Sequence, residues 1–275
     1  MCVACDSVIN TAFDGAATTA AGVELLDAFS SLAKREAIKR CVEKKSSEVF
    51  TSFTQELLYV KKQFDKQKSS PPVIHRDHPR FAGAALWAKS WYLRIQQQWM
   101  LLEHAQSFLP ATNEAEQAHA VYQLLDASLH EYIRKMYSEW ITTIESGIGR
   151  FLDNFLMVRS QQPLQGASGR ERYGYLEQNF DRTLLQLFAE VHYWEKLRFE
   201  IPYVAMDIAT HRERYRCLRE NVMLVVRDYN SILTALSPAE RRLFTERLHY
   251  LDRKIVPGLT KLTWASKGIT DQFLK

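Results

Sequence analysis

Long stretches of this sequence place apolar side chains three and four residues apart, which is the spacing of one face of an α-helix. In the clearest stretch, over 42–68, these side chains step 3-4-3-4 while charged residues occupy the other faces. The apolar residues are Phe50, Phe53, Leu57, Val60 and Phe64. An uninterrupted helix over this stretch would be ~40 Å long at 1.5 Å per residue. Because such a helix must bury its apolar face against neighbours, the pattern predicts a bundle of long amphipathic helices.

Two further helices are predicted over 79–105 and 113–146. Pro110 ends the first of them, since proline cannot continue a helix. Asn113 stands three residues before Glu116, a capping arrangement that predicts the start of the second. The apolar stripe of that helix comprises Val121, Leu124, Leu125, Tyr132 and Met136.

The composition supports an all-α chain and excludes several other classes of protein. Ten glycines and eight prolines in 275 residues are too few for a turn-dense β-sandwich or barrel. The net charge of +4 is spread along the chain with both signs mixed, which does not favour nucleic-acid binding.

The longest apolar stretch, over 81–88, is far shorter than the ~20 residues of a membrane-spanning helix. The first residues resemble neither a secretory signal nor a transit peptide. Four cysteines are too few for a disulfide framework, so we expect reduced, intracellular thiols.

The helical pattern is interrupted over 150–180. Short apolar patches at 155–158 and 173–176 flank a segment that contains Pro163, Gly166 and Gly169. Apolar patches separated by glycine and proline predict a β-hairpin. Helix signals then resume over 181–198 and stop near Pro202.

A further amphipathic helix is predicted towards the end of the chain, where apolar side chains step 4-3-4-3-4 and indicate coiled-coil-like packing. They are Leu218, Val222, Val225, Tyr229, Ile232 and Leu236. Ser237, Pro238 and Glu240 then combine an N-cap serine, a proline at the first helical position and a glutamate at the third. A new helix is therefore predicted to begin after Ser237 and to end at Pro257 and Gly258.

Together these elements predict a mainly α fold, an elongated bundle of long amphipathic helices with one β-hairpin insertion. We expect a first helical group over 24–146, the hairpin over 150–180 and a second helical group over 181–275. Neither end of the chain carries a clear helix cap, so we expect a piece of a longer polypeptide.

Two E-x-x-H spacings, Glu116/His119 and Glu246/His249, are the candidates for metal chemistry. Paired E-x-x-H helices with two further carboxylates build di-iron sites inside helical bundles, so the alternative function is a small helical metal-dependent enzyme. At about 100° per residue, however, both pairs lie opposite the apolar stripes of their helices and point outward. We therefore assign no catalytic, cofactor-binding or metal-binding residue, and we expect no cofactor.

Four other features favour a structural interpretation over a functional one. The glycine cluster at 166–170 lacks the Lys-Ser/Thr pair of a phosphate-binding loop. Cys2-x-x-Cys5 has the spacing of half a zinc site, and His75 and His78 are the local candidates to complete it. The basic run at 211–216 contains acidic residues and is typical of a solvated helix face. The six tryptophans fall on apolar faces and are interpreted as core residues.

Four blocks of the sequence resemble the N-terminal tail of dynein heavy chains, and they occur in the same order as in that family. The blocks are REAIKRCVEKKSSEVF at 35–50, PPVIHRDHPRFAGAALWAKSW at 71–91, RENVMLVVRDYNSILTALSPAERRLF at 219–244 and KIVPGLTKLTWASKG at 254–268. The segment VHYWEKLRFEIP at 191–202 is similar to axonemal rather than cytoplasmic heavy chains, and an inner-arm type is preferred.

This resemblance implies a non-catalytic tail scaffold of an axonemal dynein heavy chain. The implied partners are dynein intermediate and light chains and another dynein heavy chain, with the axonemal microtubule contacted indirectly through the complex. No nucleic-acid or membrane partner is expected. The implied location is the cytoplasm and cytoskeleton, in the axoneme of a cilium. The ATPase ring of the family belongs to a distant part of the heavy chain, so no enzymatic activity is expected from these residues.

Overall fold

Amphipathic helices separated by short connections make up most of the fold. The computed structural model describes residues 2–162 and 174–269. The chain divides into two compact units, Met1–Ser138 and Glu139–Lys275. Among the described residues there are ten α-helices and one two-stranded antiparallel sheet. The mainly α bundle with a β-hairpin is therefore confirmed.

The three helices predicted for the first unit lie close to their predicted positions, and two further helices that were not predicted precede them. Its elements are α1 (Cys2–Asp14), α2 (Thr19–Ser30), a 3₁₀ turn (Ser31–Lys34), α3 (Glu36–Gln67), α4 (Arg80–Gln106) and the greater part of α5 (Asn113–Glu145). Helix α3 begins earlier than its apolar pattern indicates, and its 32 residues give a length of about 48 Å. Helix α2 packs against α3 and α4, and α1 packs against α3.

The core of the first unit is built from the predicted apolar stripes. All five apolar residues of the α3 stripe, from Phe50 to Phe64, are buried. Phe64 stacks on Trp87 of α4 with ring centres 5.4 Å apart, and Tyr132 of α5 meets Phe64 edge-on at 5.4 Å. The Tyr132 hydroxyl also donates a hydrogen bond to the Lys68 carbonyl at 3.0 Å, which ties the end of α3 to α5.

Helix α5 differs from its prediction in its cap and its buried face. The hydroxyl of Thr112, rather than the side chain of Asn113, accepts a hydrogen bond from the backbone N–H of Ala115 at 3.3 Å. Leu124, predicted to lie on the apolar stripe, is 63% exposed. The buried stripe instead comprises Ala115, Ala118, Leu125, Leu129, Tyr132, Ile133, Trp140 and Ile144. Leu124 is one residue, or about 100°, away from the centre of this stripe.

The second unit combines shorter helices with the small sheet. Its elements after α5 are a 3₁₀ turn (Ile148–Asp153), β1 (Met157–Arg159), β2 (Leu176–Gln178), α6 (Arg182–Lys196), α7 (Tyr203–Thr210), α8 (Arg212–Ala235), α9 (Pro238–Leu243) and α10 (Thr245–Thr260). In the sheet, Met157 pairs with Gln178, Val158 with Glu177, and Arg159 with Leu176. The predicted loop residues Pro163, Gly166 and Gly169 lie outside the described residues.

Both edges of the two-stranded sheet are covered, which matters because exposed edges leave backbone groups unpaired. Helix α8 lies along the outer edge of β2. Beside β1, the Leu156 N–H donates to the Leu262 carbonyl at 3.1 Å, and Phe155 forms an isolated bridge with Thr263. Trp264, fully buried, donates its indole N–H to the Asn179 carbonyl at 2.7 Å. The two strands are therefore integrated into the unit.

The predicted cap at Ser237 is present. Its hydroxyl accepts from the Glu240 N–H at 3.3 Å, and the Glu240 carboxylate accepts from the Ser237 N–H at 2.8 Å, which is a complete capping box. The helix that follows is not continuous, because it is interrupted at Phe244 between α9 and α10. It also passes through Pro257 and ends at Thr260, contrary to the predicted end at Pro257. Pro257 lies in the last turn of α10, so the hydrogen bond lost with its missing N–H is at the end of the helix.

The apolar seam of α8 is offset from the predicted 4-3-4-3-4 pattern in its second half. Val222 and Tyr229 are buried as predicted, but Val225 is half-buried and Ile232 is 40% exposed. Leu233 takes the buried position instead. A straight helix repeats every 3.6 residues and drifts away from a strict 3.5-residue repeat, which accounts for the offset of one residue.

Candidate functional site

The two E-x-x-H pairs face solvent. Glu116, His119, Glu246 and His249 are all exposed, which is the outward orientation that helical spacing predicts. The His119 ring stacks on Trp99 with centres 5.2 Å apart. In the described part of the chain, no group of three or more His, Cys, Asp or Glu side chains is arranged to hold a metal ion.

Of the other candidate ligand motifs, the structure describes His75 and His78. His75 and His78 lie in the connection between α3 and α4 with ring centres 5.7 Å apart, and the His75 Nδ1 is 3.4 Å from an oxygen of Asp77. The side chains of Cys2 and Cys5 and the whole glycine cluster at 166–170 lie outside the described residues.

The basic run at the start of α8 is locally neutralised. Arg216 makes ion pairs with Glu213 and Glu220, both at 2.8 Å. Arg214 donates to the Ser266 carbonyl at 2.8 Å. Arg214 and Arg216 therefore make contacts within the second unit, as is typical of a solvated helix face with charges of both signs.

Five of the six tryptophans are core residues as predicted, and the sixth, Trp91, is only half-buried. Trp87, Trp99, Trp140, Trp194 and Trp264 are buried. Trp140 and Trp194 lie with their ring centres 5.9 Å apart in the second unit. Aromatic contacts of this kind stabilise a core beyond the area they bury.

A partly buried polar network joins β1, α8 and α10, and sequence reasoning missed it. Arg159 of β1 forms an ion pair with Asp252 of α10 and donates to the Tyr229 hydroxyl of α8 at 3.1 Å. The Tyr229 hydroxyl donates in turn to Asp252 at 3.2 Å. The three residues are far apart in the sequence, and no local spacing joins them.

The network changes the protonation behaviour of its members. Burial raises the pKa of the Tyr229 hydroxyl, and the neighbouring Arg159 guanidinium opposes part of that rise. Burial alone would lower the pKa of Arg159, but hydrogen bonds to Asp252 and Tyr229 outweigh it and raise that pKa. Arg159 is thus held charged and oriented, which suits a structural clamp on the hairpin.

An open groove at the junction of α9 and α10 is the candidate interaction surface. We call it the α9–α10 groove; its lining residues are Leu243, Phe244, Glu246, Arg247 and Tyr250. Its volume is about 570 Å³. Leu243 is 78% exposed and Tyr250 is 56% exposed, so large apolar side chains stand in solvent at this junction. Exposed apolar residues grouped in this way are typical of interaction sites.

None of the helices in the described residues is both long enough and apolar enough to cross a membrane.

Comparison with known proteins identifies the family. The family model for dynein heavy chain, N-terminal region 1, matches residues 3–272. The chain is similar to the Dynein-1-beta heavy chain of the flagellar inner arm I1 complex from Chlamydomonas reinhardtii, with 42% identity over 94% of this chain and 6% of that protein. It is 40% identical to Dynein axonemal heavy chain 2 of Mus musculus, over 98% of this chain and 6% of that protein.

A more distant relative is the gamma chain of the flagellar outer arm from Chlamydomonas reinhardtii, with 25% identity over 95% of this chain and 6% of that protein. The chain thus spans about 6% of the length of these relatives. The family match nevertheless covers nearly every residue of the chain, in both compact units. The chain belongs to the dynein heavy chain N-terminal region 1 family.

Proposed function

We propose that the chain acts as a non-catalytic tail scaffold of an axonemal dynein heavy chain. The observation that carries this proposal is the match over residues 3–272 to the N-terminal region of dynein heavy chains. The relatives with the higher identities include an inner-arm heavy chain and an axonemal heavy chain. We infer that this chain, like them, works in the cytoskeleton, in the axoneme of a cilium or flagellum.

The packing of the chain supports a scaffold. Long helices such as α3 and α4 bury aromatic residues in one core, while large apolar residues on other faces remain exposed. Met100 of α4 and Leu124 of α5 are 62% and 63% exposed. Apolar side chains that remain exposed outside the core are suited to contacts with further helices or subunits.

The partners we propose are dynein intermediate and light chains and a second dynein heavy chain. Contact with the axonemal microtubule would be indirect, through the assembled complex. We infer that the first helical group (24–146) and the second (181–275) each contribute helix faces to these contacts, with the hairpin region (150–180) between them. The proposed role requires no cofactor and no ATP hydrolysis by these residues.

Affinity purification from ciliary extract tests the proposal. The tagged 275-residue chain is used as bait, and the proteins that remain bound are identified by mass spectrometry. We expect recovery of dynein intermediate chains, light chains or another heavy chain. The matched control carries Val222→Asp, which places a charge at a fully buried position of α8 and is expected to disrupt packing.

The same experiment can contradict the proposal. A folded, strictly monomeric bait that retains no dynein subunit would contradict the scaffold role. Circular dichroism of the bait before the experiment establishes that it is folded, so that a negative result bears on binding and not on stability.

A further inference from the structure

In the part of the chain that the structure describes, helices α9 and α10 have one buried face and one face on which large apolar side chains are exposed. Leu248, Ile255 and Gly258 point into the unit and are buried, and α10 packs there against β1. On the other side, Leu243, Phe244 and Tyr250 are exposed and line the α9–α10 groove. The groove therefore presents exposed apolar side chains together with the charged Glu246 and Arg247, on the side of the helix pair away from this buried face.

The exposed charges on α9 and α10 are mainly positive, and the lining of the groove itself holds one cation, Arg247, and one carboxylate, Glu246. Four exposed cations lie on these two helices: Arg242, Arg247, Arg253 and Lys254. Of the three carboxylates on the same helices, Asp252 is paired with Arg159 and Glu240 is bound to the Ser237 cap. Glu246 is the one carboxylate that lines the groove.

One cation and one aromatic ring are also coupled beside the groove. The Lys254 Nζ lies 5.7 Å from the centre of the Tyr250 ring. This distance is within the range of a cation–π contact, and it holds a positive charge at the apolar rim. Exposed apolar side chains next to Arg247 and Lys254 are complementary to a segment with an apolar stripe flanked by carboxylates.

We propose that the α9–α10 groove docks an acidic amphipathic helix of a separate polypeptide. Such a helix would place apolar side chains at i, i+3 or i+4, and i+7 against Leu243, Phe244 and Tyr250. Its Glu or Asp residues would face Arg247 and Lys254. This inference rests on the proposed scaffold function, because it names the chemistry of one partner of that scaffold.

Charge argues against one other occupant and shape against a second. A second copy that docked through the same face would bring two cationic rims together, which like-charge repulsion disfavours. A flat anionic membrane would match the charge, but the exposed apolar side chains are confined to the short junction of α9 and α10, which suits one helix better than a broad surface. A narrow acidic helix satisfies both the shape and the charge.

The direct test is a fluorescence anisotropy titration of the 275-residue chain with two labelled synthetic peptides. One probe is an amphipathic 21-residue helix with leucines on one face and glutamates flanking them; the other has lysines in place of the glutamates. We expect the acidic probe to bind at least tenfold more tightly than the basic probe. We also expect its affinity to fall as the salt concentration rises.

Variants locate the binding. Arg247→Glu with Lys254→Glu is expected to weaken binding of the acidic probe at least tenfold, and Leu243→Asp is expected to weaken it as well. Because Leu243 is 78% exposed, this change leaves the fold intact. The matched control is Lys61→Glu with Lys62→Glu on α3, which makes the same change in net charge at exposed positions and should leave binding unchanged.

Several outcomes would overturn the inference. They are equal binding of both probes, no binding of the acidic probe, and binding that the groove variants do not change. Association with phosphatidylserine vesicles that the groove variants abolish would assign the groove to a membrane. Self-association of the chain that these variants abolish would assign it to a second copy.

The source of the helix is tested with p-benzoylphenylalanine in place of Tyr250. The chain is photolysed in ciliary extract and the cross-linked peptide is sequenced by mass spectrometry. An acidic amphipathic peptide from a polypeptide other than a dynein heavy chain supports the inference, and a heavy-chain peptide contradicts it. If dynein subunits co-purify with the chain whether or not the groove variants are present, the scaffold function stands and this inference alone fails.

Discussion

The side-chain amide of Asn230 binds both backbone polar groups of Leu176. The Leu176 N–H donates to Asn230 Oδ1 at 2.8 Å, and Asn230 Nδ2 donates to the Leu176 carbonyl at 2.9 Å. A helix side chain thus replaces the next strand of the sheet at the outer edge of β2. Together with the bond from Gln178 Nε2 to the Arg219 carbonyl at 2.6 Å, it fixes the hairpin to α8.

Replacement of Asn230 by alanine should destabilise the second unit. It removes both partners of Leu176, whose side chain is buried, and leaves the two backbone groups without hydrogen bonds. The expected loss is about 1–3 kcal/mol in the free energy of unfolding, measured by urea denaturation. The neighbouring exposed change Ser231→Ala is the control and should alter stability by less than ~0.5 kcal/mol. Equal effects of the two changes would mean that the clamp contributes nothing.

Loss of the cap at Ser237 should weaken the start of α9. Ser237→Ala removes the hydroxyl that accepts from the Glu240 N–H, and the loss of an N-cap typically costs about 0.5–2 kcal/mol. Thermal melting followed by circular dichroism measures it. A melting curve identical to that of the parent would show that the cap adds no stability.

The same cap gives a pH dependence with a defined sign. Hydrogen bonds from the Ser237 side chain and backbone lower the pKa of Glu240 below its ordinary value of 4.5. Because the folded pKa is the lower one, the contribution is present above the ordinary pKa and is lost as the pH falls through the folded value. The stability difference between the parent and Ser237→Ala should therefore shrink on acidification from neutral pH. A difference that grows towards low pH would contradict this assignment.

Val222 and Val225 form a matched pair that tests the seam of α8. Val222 is fully buried and Val225 is half-buried. An aspartate at position 222 would place a charge in an apolar environment without a partner, whereas at position 225 it can reach water. Val222→Asp should therefore abolish cooperative unfolding or lower the melting temperature far more than Val225→Asp. Similar melting temperatures would mean that the seam is not buried as described.

Arg198 offers a stabilising substitution. It follows α6 with a φ of 62°, in the left-handed region that glycine adopts without strain. The backbone there forms a helix-terminating arrangement in which the Phe199 N–H donates to the Trp194 carbonyl at 3.1 Å. Arg198→Gly should raise the free energy of unfolding by about 0.5–1 kcal/mol, and Arg198→Ala should not. A loss of stability on Arg198→Gly would show that the arginine side chain makes a larger contribution than its backbone strain.

The sequence predicts the features of this fold that depend on local chemistry. The stripe from Phe50 to Phe64, the helix starts after Pro79 and Ser237, and the position of the hairpin follow from periodicity and capping, which act over a few residues. Periodicity and capping do not determine the rotation of α5 or the second half of the α8 seam. Neighbouring helices decide which of two adjacent residues, such as Leu124 and Leu125, is buried.

The contacts that join distant segments are the ones that sequence reasoning missed. Arg159, Tyr229 and Asp252 meet only after β1, α8 and α10 have packed, and Asn230 meets Leu176 in the same way. The α9–α10 groove likewise depends on the break at Phe244, which the apolar spacing does not signal. The family assignment, in contrast, is readable in the sequence because ordered motif blocks persist along most of the chain.

The most direct test of the scaffold account is to determine where the chain is found in the cilium. Axonemes from the organism that encodes it are extracted with high salt, the extract is sedimented through a sucrose gradient, and an antibody against this chain is used to follow it. We predict that the immunoreactive polypeptide is released from the axoneme and co-sediments with dynein intermediate and light chains. Its absence from axonemes, or its sedimentation apart from every dynein subunit, would contradict the account.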